Sequence, residues 1–520
     1  MTARADTPGS KRKARLPLRQ QVATGAMVLM LTRLLSRGVD LGTLIVLARH
    51  LTPADFGLVA IAVSVVQITE AILEMPTGNA LLQLPVVNRS HLNTAFTFAL
   101  IRGLAIAAIL CALSVPLAAF FGDRRLVALV CALSAAPGLR GLRSPKMFLL
   151  FKRVRFRPDA MAEVVGKLSA LAIAVPLALS TGSYWAIAAG TIASPLFYML
   201  TTYVLVPARP TVTLRDWRLF HRYLGWSMAA QFISALNWQS DRFVLGKLAT
   251  QATLGLFTTT RDLAATTYKV IFESIQRPIL SALSRSNGDP ARQRQLYGVS
   301  ISSVLSIGLP IACGQAYFGR ELVELILGPR WLEGAFVFQA VSLTLIPGLY
   351  SSMVMTLLYA CGKPEFIFTR NLYDFIFRIP ATVACILLFG WKGAVAALVA
   401  SDLALAVMCM HVARSAIGIG MLAQFGKAWR GTASVVVMIA ALELLGRTMP
   451  HGSGTAEIVL YLLKMVPAGG ASYVLAHWLI WQMAGKPDGV ERAALDLIAR
   501  IFGKVQRFAG TPLQSAVAKP

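Results

Sequence analysis

The chain has 520 residues, of which 56% are hydrophobic and only 14% charged, with a mean hydropathy of +0.63. That much apolar surface excludes an ordinary soluble fold, which would leave it facing water. The formal net charge of +26 comes from basic residues dispersed over connecting segments, which argues against a nucleic-acid partner.

Apolar segments fall near residues 22–48, 54–82, 93–120, 125–151, 158–180, 183–206, 222–246, 253–283, 296–318, 331–361, 365–389, 392–413, 430–447 and 457–483. A bilayer span needs about 20 mostly apolar residues, so the pattern predicts about 14 transmembrane helices. The turns between them hold breakers: Thr52-Pro53, Gly122-Asp123, Thr181-Gly182-Ser183, Gly362-Lys363-Pro364 and Gly390-Trp391. A β-barrel is excluded, because the runs are too long and lack alternation.

Arginine and lysine set the orientation, since cytoplasmic loops retain them. The first tail holds Arg4, Lys11, Arg12, Lys13, Arg15 and Arg19. Alternate connections on that side carry Lys152, Arg153, Arg155 and Arg157, then Arg209, Arg215, Arg218 and Arg222, then Arg285, Arg292 and Arg294. The opposite connections are poor, with Arg49, then Arg124 and Arg125, then Lys247. Both termini are therefore expected in the cytoplasm, and the basic face attracts anionic lipid. Near the C-terminus, Val490, Leu497, Ile501, Val505 and Phe508 alternate with Arg492, Arg500, Lys504 and Arg507, as in a helix lying on the inner leaflet. The six cysteines all sit in or at the ends of apolar spans without a C-x-x-C pair, which points to core residues rather than disulfides or zinc.

An internal repeat links the first and seventh spans. Val46-Leu47-Ala48-Arg49-His50-Leu51-Thr52-Pro53-Ala54-Asp55-Phe56-Gly57-Leu58 matches Val244-Leu245-Gly246-Lys247-Leu248-Ala249-Thr250-Gln251-Ala252-Thr253-Leu254-Gly255-Leu256 at one offset. A weaker echo pairs Ala186-Ile187-Ala188-Ala189 with Ala394-Val395-Ala396-Ala397. The expected fold is an all-α polytopic membrane protein: two six-helix bundles in parallel pseudo-repeat around a central cavity, plus two C-terminal helices. The expected divisions are a basic cytoplasmic tail over 1–21, an N-terminal lobe over 22–206 and a linker over 207–221. A C-terminal lobe over 222–415, helices 13 and 14 over 416–484 and a cytoplasmic tail over 485–520 follow.

These residues give the chain a family likeness. It resembles the oligosaccharide flippases of the polysaccharide transporter group, within the superfamily of multidrug, oligosaccharidyl-lipid and polysaccharide exporters. The likeness is carried by Leu47 to Leu58, then Ala95-Phe96, then Pro116-Leu117-Ala118-Ala119-Phe120-Phe121-Gly122-Asp123. It continues at Arg155-Phe156-Arg157, Tyr184-Trp185-Ala186, Asp241-Arg242, Leu254-Gly255-Leu256-Phe257 and Arg261-Asp262-Leu263-Ala264. The resemblance implies 14 helices in two bundles. It also implies transfer of a polyprenyl-pyrophosphate-linked oligosaccharide between leaflets of a bacterial inner membrane. Where relatives place a glycine-rich end to the second span, this chain departs, with Met75-Pro76-Thr77-Gly78-Asn79.

Ionisable residues inside spans are costly and mark a polar cavity or interhelical pairs. Arg33, Arg37 and Asp40 follow i, i+4, i+7 spacing and share one face of the first span. They line a cavity or pair internally, Arg37 with Asp40 beside an acid of the second span, Glu70 or Glu74. The eighth span carries Arg261, Lys269 and Glu273; the fifth carries Glu163 and Lys167; the eleventh carries Arg370, Asp374 and Arg378. By resemblance, Arg261 faces Arg33 across the central cleft, and two guanidinium groups suit a pyrophosphate. The candidate cavity cations are Arg33, Arg37, Lys167, Arg261, Lys269 and Arg378. Asp40, Glu70 and Asp402 are candidates for ion coupling. Asp241-Arg242 reads as an interfacial pair near the outer end of span seven.

The leading expectation is a lipid-linked oligosaccharide flippase working by alternating access, with the polysaccharide polymerase and export machinery as candidate partners. The alternative is a cation-coupled multidrug exporter of the same superfamily, whose cavity would favour acids. Enzymatic activity is not expected: the outer loops are short, and His91, His221, His411 and His477 lack metal-ligand spacing. No G-x-x-x-x-G-K loop appears, and no cofactor or metal is expected.

Overall fold

The computed structural model describes residues 18–74, 77–78, 81, 84, 86–153, 155–218, 226–362, 365–448, 454–486 and 491–492. Residues 1–17 of the expected basic tail, residues 219–221 of the expected linker, Met75, Pro76 and Asn79 lie outside the described residues. So does the C-terminal amphipathic helix, apart from Glu491 and Arg492. Among the described residues the structure is helical and contains no strand.

Among the described residues, ten helices are long and apolar enough to cross a membrane. Their surfaces explain why: α3 (Arg89–Phe121) has a mean hydropathy of 2.5 over its most apolar stretch, yet only 22% of that stretch is buried inside the protein. Leucine and valine turned outward on such a helix, as Leu104 and Val115 are, belong in hydrocarbon. This is a multi-pass membrane protein. Three further long helices, α1 (Leu18–His50), α9 (Trp226–Leu248) and α10 (Gln251–Arg285), match expected spans but hold charges or polar residues. The expected fourth span is not continuous. It is divided into α4 (Arg125–Leu133), α5 (Ala135–Gly141) and α6 (Met147–Lys152). Pro145 lacks an N–H and pushes Ser144 out of helical geometry, so the chain breaks between α5 and α6.

The chain forms two compact units, and the division falls within α2 (Pro53–Ile72). The first comprises Met1–Leu51 with Val65–Gln231; the second comprises Thr52–Ser64 with Phe232–Pro520.

In the first unit, α7 (Arg157–Thr181) packs along both α1 and α8 (Trp185–Leu205). Small residues permit the approach to α8. A Cβ on Gly166 would stand 2.7 Å from the Ser194 carbonyl, and Gly190 lies against Ala174. Without a hydrophobic force between helices in lipid, such close backbone packing is what associates them. The start of α3 is tied to the segment after α8: Asn93 donates to Thr211 Oγ1 at 2.6 Å and Thr97 Oγ1 accepts from the Thr213 amide.

The second unit adds α11 (Pro290–Tyr317), α12 (Gly319–Ile326), α13 (Ala335–Ala360), α14 (Glu365–Phe389) and α15 (Trp391–Ile417). It ends with α16 (Met421–Gly426), α17 (Trp429–Thr448) and α18 (Thr455–Met483). One apolar core joins Leu283 of α10, Leu305 of α11, Met353 of α13, Met410 of α15, Met438 of α17 and Met465 of α18. Glu491 returns to this unit and bonds Arg430 at 2.6 Å and His477 at 3.0 Å, all three largely buried.

The repeated segment has a structural purpose. Thr52 and Asp55 cap the start of α2 reciprocally, with the Thr52 amide donating to Asp55 Oδ2 at 3.0 Å. Thr250 caps α10 in the same way, accepting from the Thr253 amide. The two first turns then cross: a Cβ on Gly57 would collide with the Gln251 carbonyl oxygen, and one on Gly255 with that of Pro53. The repeat therefore encodes two capped helix starts and the glycine that lets each touch the other's backbone. Gly57→Val should lower stability by about 3 kcal/mol, the upper range for forced overpacking. Gly314→Ala, which meets nothing within 4 Å, should be nearly neutral. Thermal unfolding of the purified variants in detergent checks both.

Candidate functional site

A charge moved from water into a bilayer interior costs several kcal/mol, so the partner of each spanning charge shows what holds it there. In the first unit, Lys167 of α7 reaches across to Asp40 of α1, its Nζ 2.8 Å and 3.0 Å from the two carboxylate oxygens. Arg33 and Arg37 lie on the same helix as Asp40 and are exposed on the unit's surface.

A second group surrounds a cavity of about 330 Å³ between the end of α2, the first half of α3 and the broken segment from α5 to α6. Three arginines line it: Arg102 from α3, Arg140 from α5, and Arg143 from the break. Glu70 bridges two of them, with Arg140 Nη2 at 2.5 Å and Arg102 Nη2 at 3.5 Å. Arg102 also donates to the Glu70 backbone carbonyl at 3.2 Å. Its Nε is buried with no acceptor among the described residues. Arg143 lies 4.7 Å from the Phe148 ring centroid and 5.6 Å from that of Phe151, a cation–π setting. Tyr198 stands 3.5 Å from its guanidinium and donates to Asp159.

The second unit gathers charge between α9, α10, α14 and α15. Asp241, only 1% exposed, takes a 2.7 Å bond from Arg261 of α10, while the neighbouring Arg242 bonds Asp262 at 2.6 Å. Neighbouring residues on a helix do not face each other, so Asp241 and Arg242 form two crosslinks to α10 rather than the interfacial pair expected from the sequence. Arg378 of α14 meets Asp402 of α15 at 2.5 Å and Asp374, one turn earlier, at 3.5 Å. Asn237 of α9 donates to the Asn371 carbonyl of α14 at 2.7 Å, tying the two pairs' helices together.

Several residues singled out in the sequence are thus brought together: Asp40 with Lys167, and Arg378 with Asp402. Glu70 meets Arg102 and Arg140. Arg33 belongs to the first unit and Arg261 to the second, where Asp241 holds it. The side chains of Lys269 and Glu273 lie outside the described residues. Arg140 and Arg143 escaped notice in the sequence. Their signal was the run Gly138-Leu139-Arg140-Gly141-Leu142-Arg143-Ser144-Pro145, which places two cations and a proline inside a supposed continuous span.

A family described as "Polysaccharide biosynthesis protein" matches residues 46–336, more than half of the chain. The chain belongs to that family. It is 23% identical over 301 residues to the succinoglycan biosynthesis transport protein ExoT of Rhizobium meliloti (strain 1021). That alignment covers 56% of this chain and spans only 60% of the relative's length. The lipopolysaccharide biosynthesis protein WzxC of Escherichia coli (strain K12) is 20% identical over 379 residues, covering 71% of this chain and 76% of that one. Among solved structures, an inward closed conformation of the lipid II flippase MurJ shares the fold, with a TM-score of 0.70 at 11% identity. It covers 89% of this chain and 99% of that one.

The pairs in the second unit differ in what their loss should do. Asp241→Asn leaves the Arg261 guanidinium without its charge partner in a buried place and should cost about 3 kcal/mol. Asp262→Asn alters a pair whose acid is 58% exposed and should cost under about 1 kcal/mol. Detergent unfolding of each variant, with the Asp241→Arg, Arg261→Asp exchange expected to recover part of the loss, measures the difference.

Proposed function

We propose that this protein is a flippase, moving a polyprenyl-pyrophosphate-linked oligosaccharide from the inner to the outer leaflet of a bacterial inner membrane by alternating access. The observation that carries the reading is that arginines inside long helices are engaged by acids in both units, Arg102 by Glu70 and Arg261 and Arg378 by Asp241 and Asp402. These acids are read here as occupying places an incoming phosphate would take. Guanidinium groups bind phosphate oxygens through paired, charge-assisted hydrogen bonds, and inside a low-dielectric site such bonds are strong. A multidrug exporter handling organic cations would instead need acids free of basic partners. Membership of a polysaccharide biosynthesis family supports the same substrate class, as do relatives named for succinoglycan transport and lipopolysaccharide biosynthesis.

On this reading both termini are cytoplasmic, and the protein transports without catalysing a reaction. It works beside the polymerase and export machinery of a surface polysaccharide. Arg33, Arg37 and Arg261 serve the substrate's diphosphate during passage, and Asp40, Glu70 and Asp402, each bonded to a cation now, are the acids through which an ion gradient acts. Deleting the gene should leave completed lipid-linked oligosaccharide on the inner leaflet and reduce surface polysaccharide, read by leaflet-resolved lipid analysis. Arg33→Ala and Arg261→Ala should fail to restore export at normal protein level. Normal surface polysaccharide combined with new drug sensitivity would overturn the reading in favour of drug export.

A further inference from the structure

We propose that the arginine-lined cavity of the first unit is a loading site for the phosphate group of a lipid-linked substrate, with Glu70 as the resident counter-ion that the phosphate replaces. The proposal rests on the flippase reading for its substrate class and on the cavity itself for its place.

Five features of the cavity and its arginines support it. Its volume, about 330 Å³, falls in the roughly 300–1,000 Å³ range of ligand sites. Arg102 from α3 and Arg140 and Arg143 from the stretch around the break converge on it, whereas Glu74 is the one acid in its described lining. The three arginines are held differently. Arg143 is fixed over two phenylalanine rings, Arg102 is anchored to the Glu70 backbone, and Arg140 is half exposed and reaches inward to the Glu70 carboxylate. Arg102 Nε, buried without an acceptor among the described residues, is a donor awaiting an oxygen. Glu70 is not itself in the described lining, but its carboxylate bridges two of the lining arginines, a charge and spacing that a phosphate edge would reproduce.

The surroundings extend the case. A second cavity of about 670 Å³ shares Pro145 with the first and is lined by Arg89, Lys146 and Arg209, with no acid among its described lining residues. Tyr203 also lines it, offering an aromatic face beside the cations. With the N-terminus in the cytoplasm, both cavities fall in the cytoplasmic half of the unit, where an inner-leaflet headgroup arrives. Pro145, at the break between α5 and α6, lines both cavities.

The occupant's opposite response to two substitutions distinguishes binding from structural support. The full-length protein is placed in nanodiscs of neutral phosphatidylcholine and titrated with a short-chain polyprenyl diphosphate, phosphatidylglycerol or inorganic pyrophosphate. Arg140→Gln and Arg143→Gln should each weaken polyprenyl diphosphate binding about tenfold, the effect of losing one charge-assisted bond. Glu70→Gln should tighten it several-fold, because the competing carboxylate is gone. A purely structural salt bridge would make Glu70→Gln and Arg140→Gln weaken binding alike, and that result overturns the proposal. So does wild-type affinity in both arginine variants. Arginine-dependent binding of phosphatidylglycerol with equal affinity would make this a phospholipid site instead, and equal binding of pyrophosphate would remove the lipid from the recognition. Arg143→Lys, which keeps the charge and loses the planar stacking, should fall between wild type and Arg143→Gln. Export is measured in parallel by restoring the deletion strain. If the wild-type chain restores surface polysaccharide while the arginine variants bind normally, the loading site fails and the flippase reading stands. If the wild-type chain restores nothing, the flippase reading itself fails.

Discussion

The cost of an unpaired charge in hydrocarbon governs this molecule. Several charged side chains are held by opposite charges on neighbouring helices: Lys167 by Asp40, Arg102 and Arg140 by Glu70, Arg261 by Asp241, Arg378 by Asp402. Among these pairs, each acid and its base belong to the same unit.

A second constraint acts on the backbone. In lipid, helices gain nothing from the hydrophobic effect by meeting one another, so contact depends on close packing. The glycines at 57 and 255 and the small residues between α7 and α8 answer that need. At the first crossing, the paired threonine caps also satisfy helix-start amides that hydrocarbon could not. One sequence motif, used twice, therefore fixes both the ends of two helices and the point where they cross.

The helical class and most span positions were legible because hydropathy over 20-residue windows is a strong signal. So was the repeat, whose matched residues turned out to be caps and contacts. The break at Pro145 was not legible, because apolar residues continue on both sides and hydropathy averages across the interruption. Pairings were legible only in part. Lys167 and Asp40 were both visible as misplaced charges, but their contact joins residues 127 positions apart and depends on how α7 lies against α1. Spacing within a helix suggested Arg37 with Asp40; tertiary packing chose a partner from another helix. The same holds for Asp241, whose sequence neighbour Arg242 is its poorest partner, since adjacent side chains on a helix point apart.

The acids that hold these arginines have a consequence for transport. An unpartnered guanidinium in a dry site would be costly, whereas one already bonded to a carboxylate is stable and correctly placed. When a phosphate takes the carboxylate's position, the number of charged bonds to arginine is kept, but the displaced acid loses its own. In a low-dielectric setting that acid must then gain water, another cation or a proton. Glu70, bonded to Arg102 and Arg140, is on the proposed reading the acid that an arriving phosphate would displace.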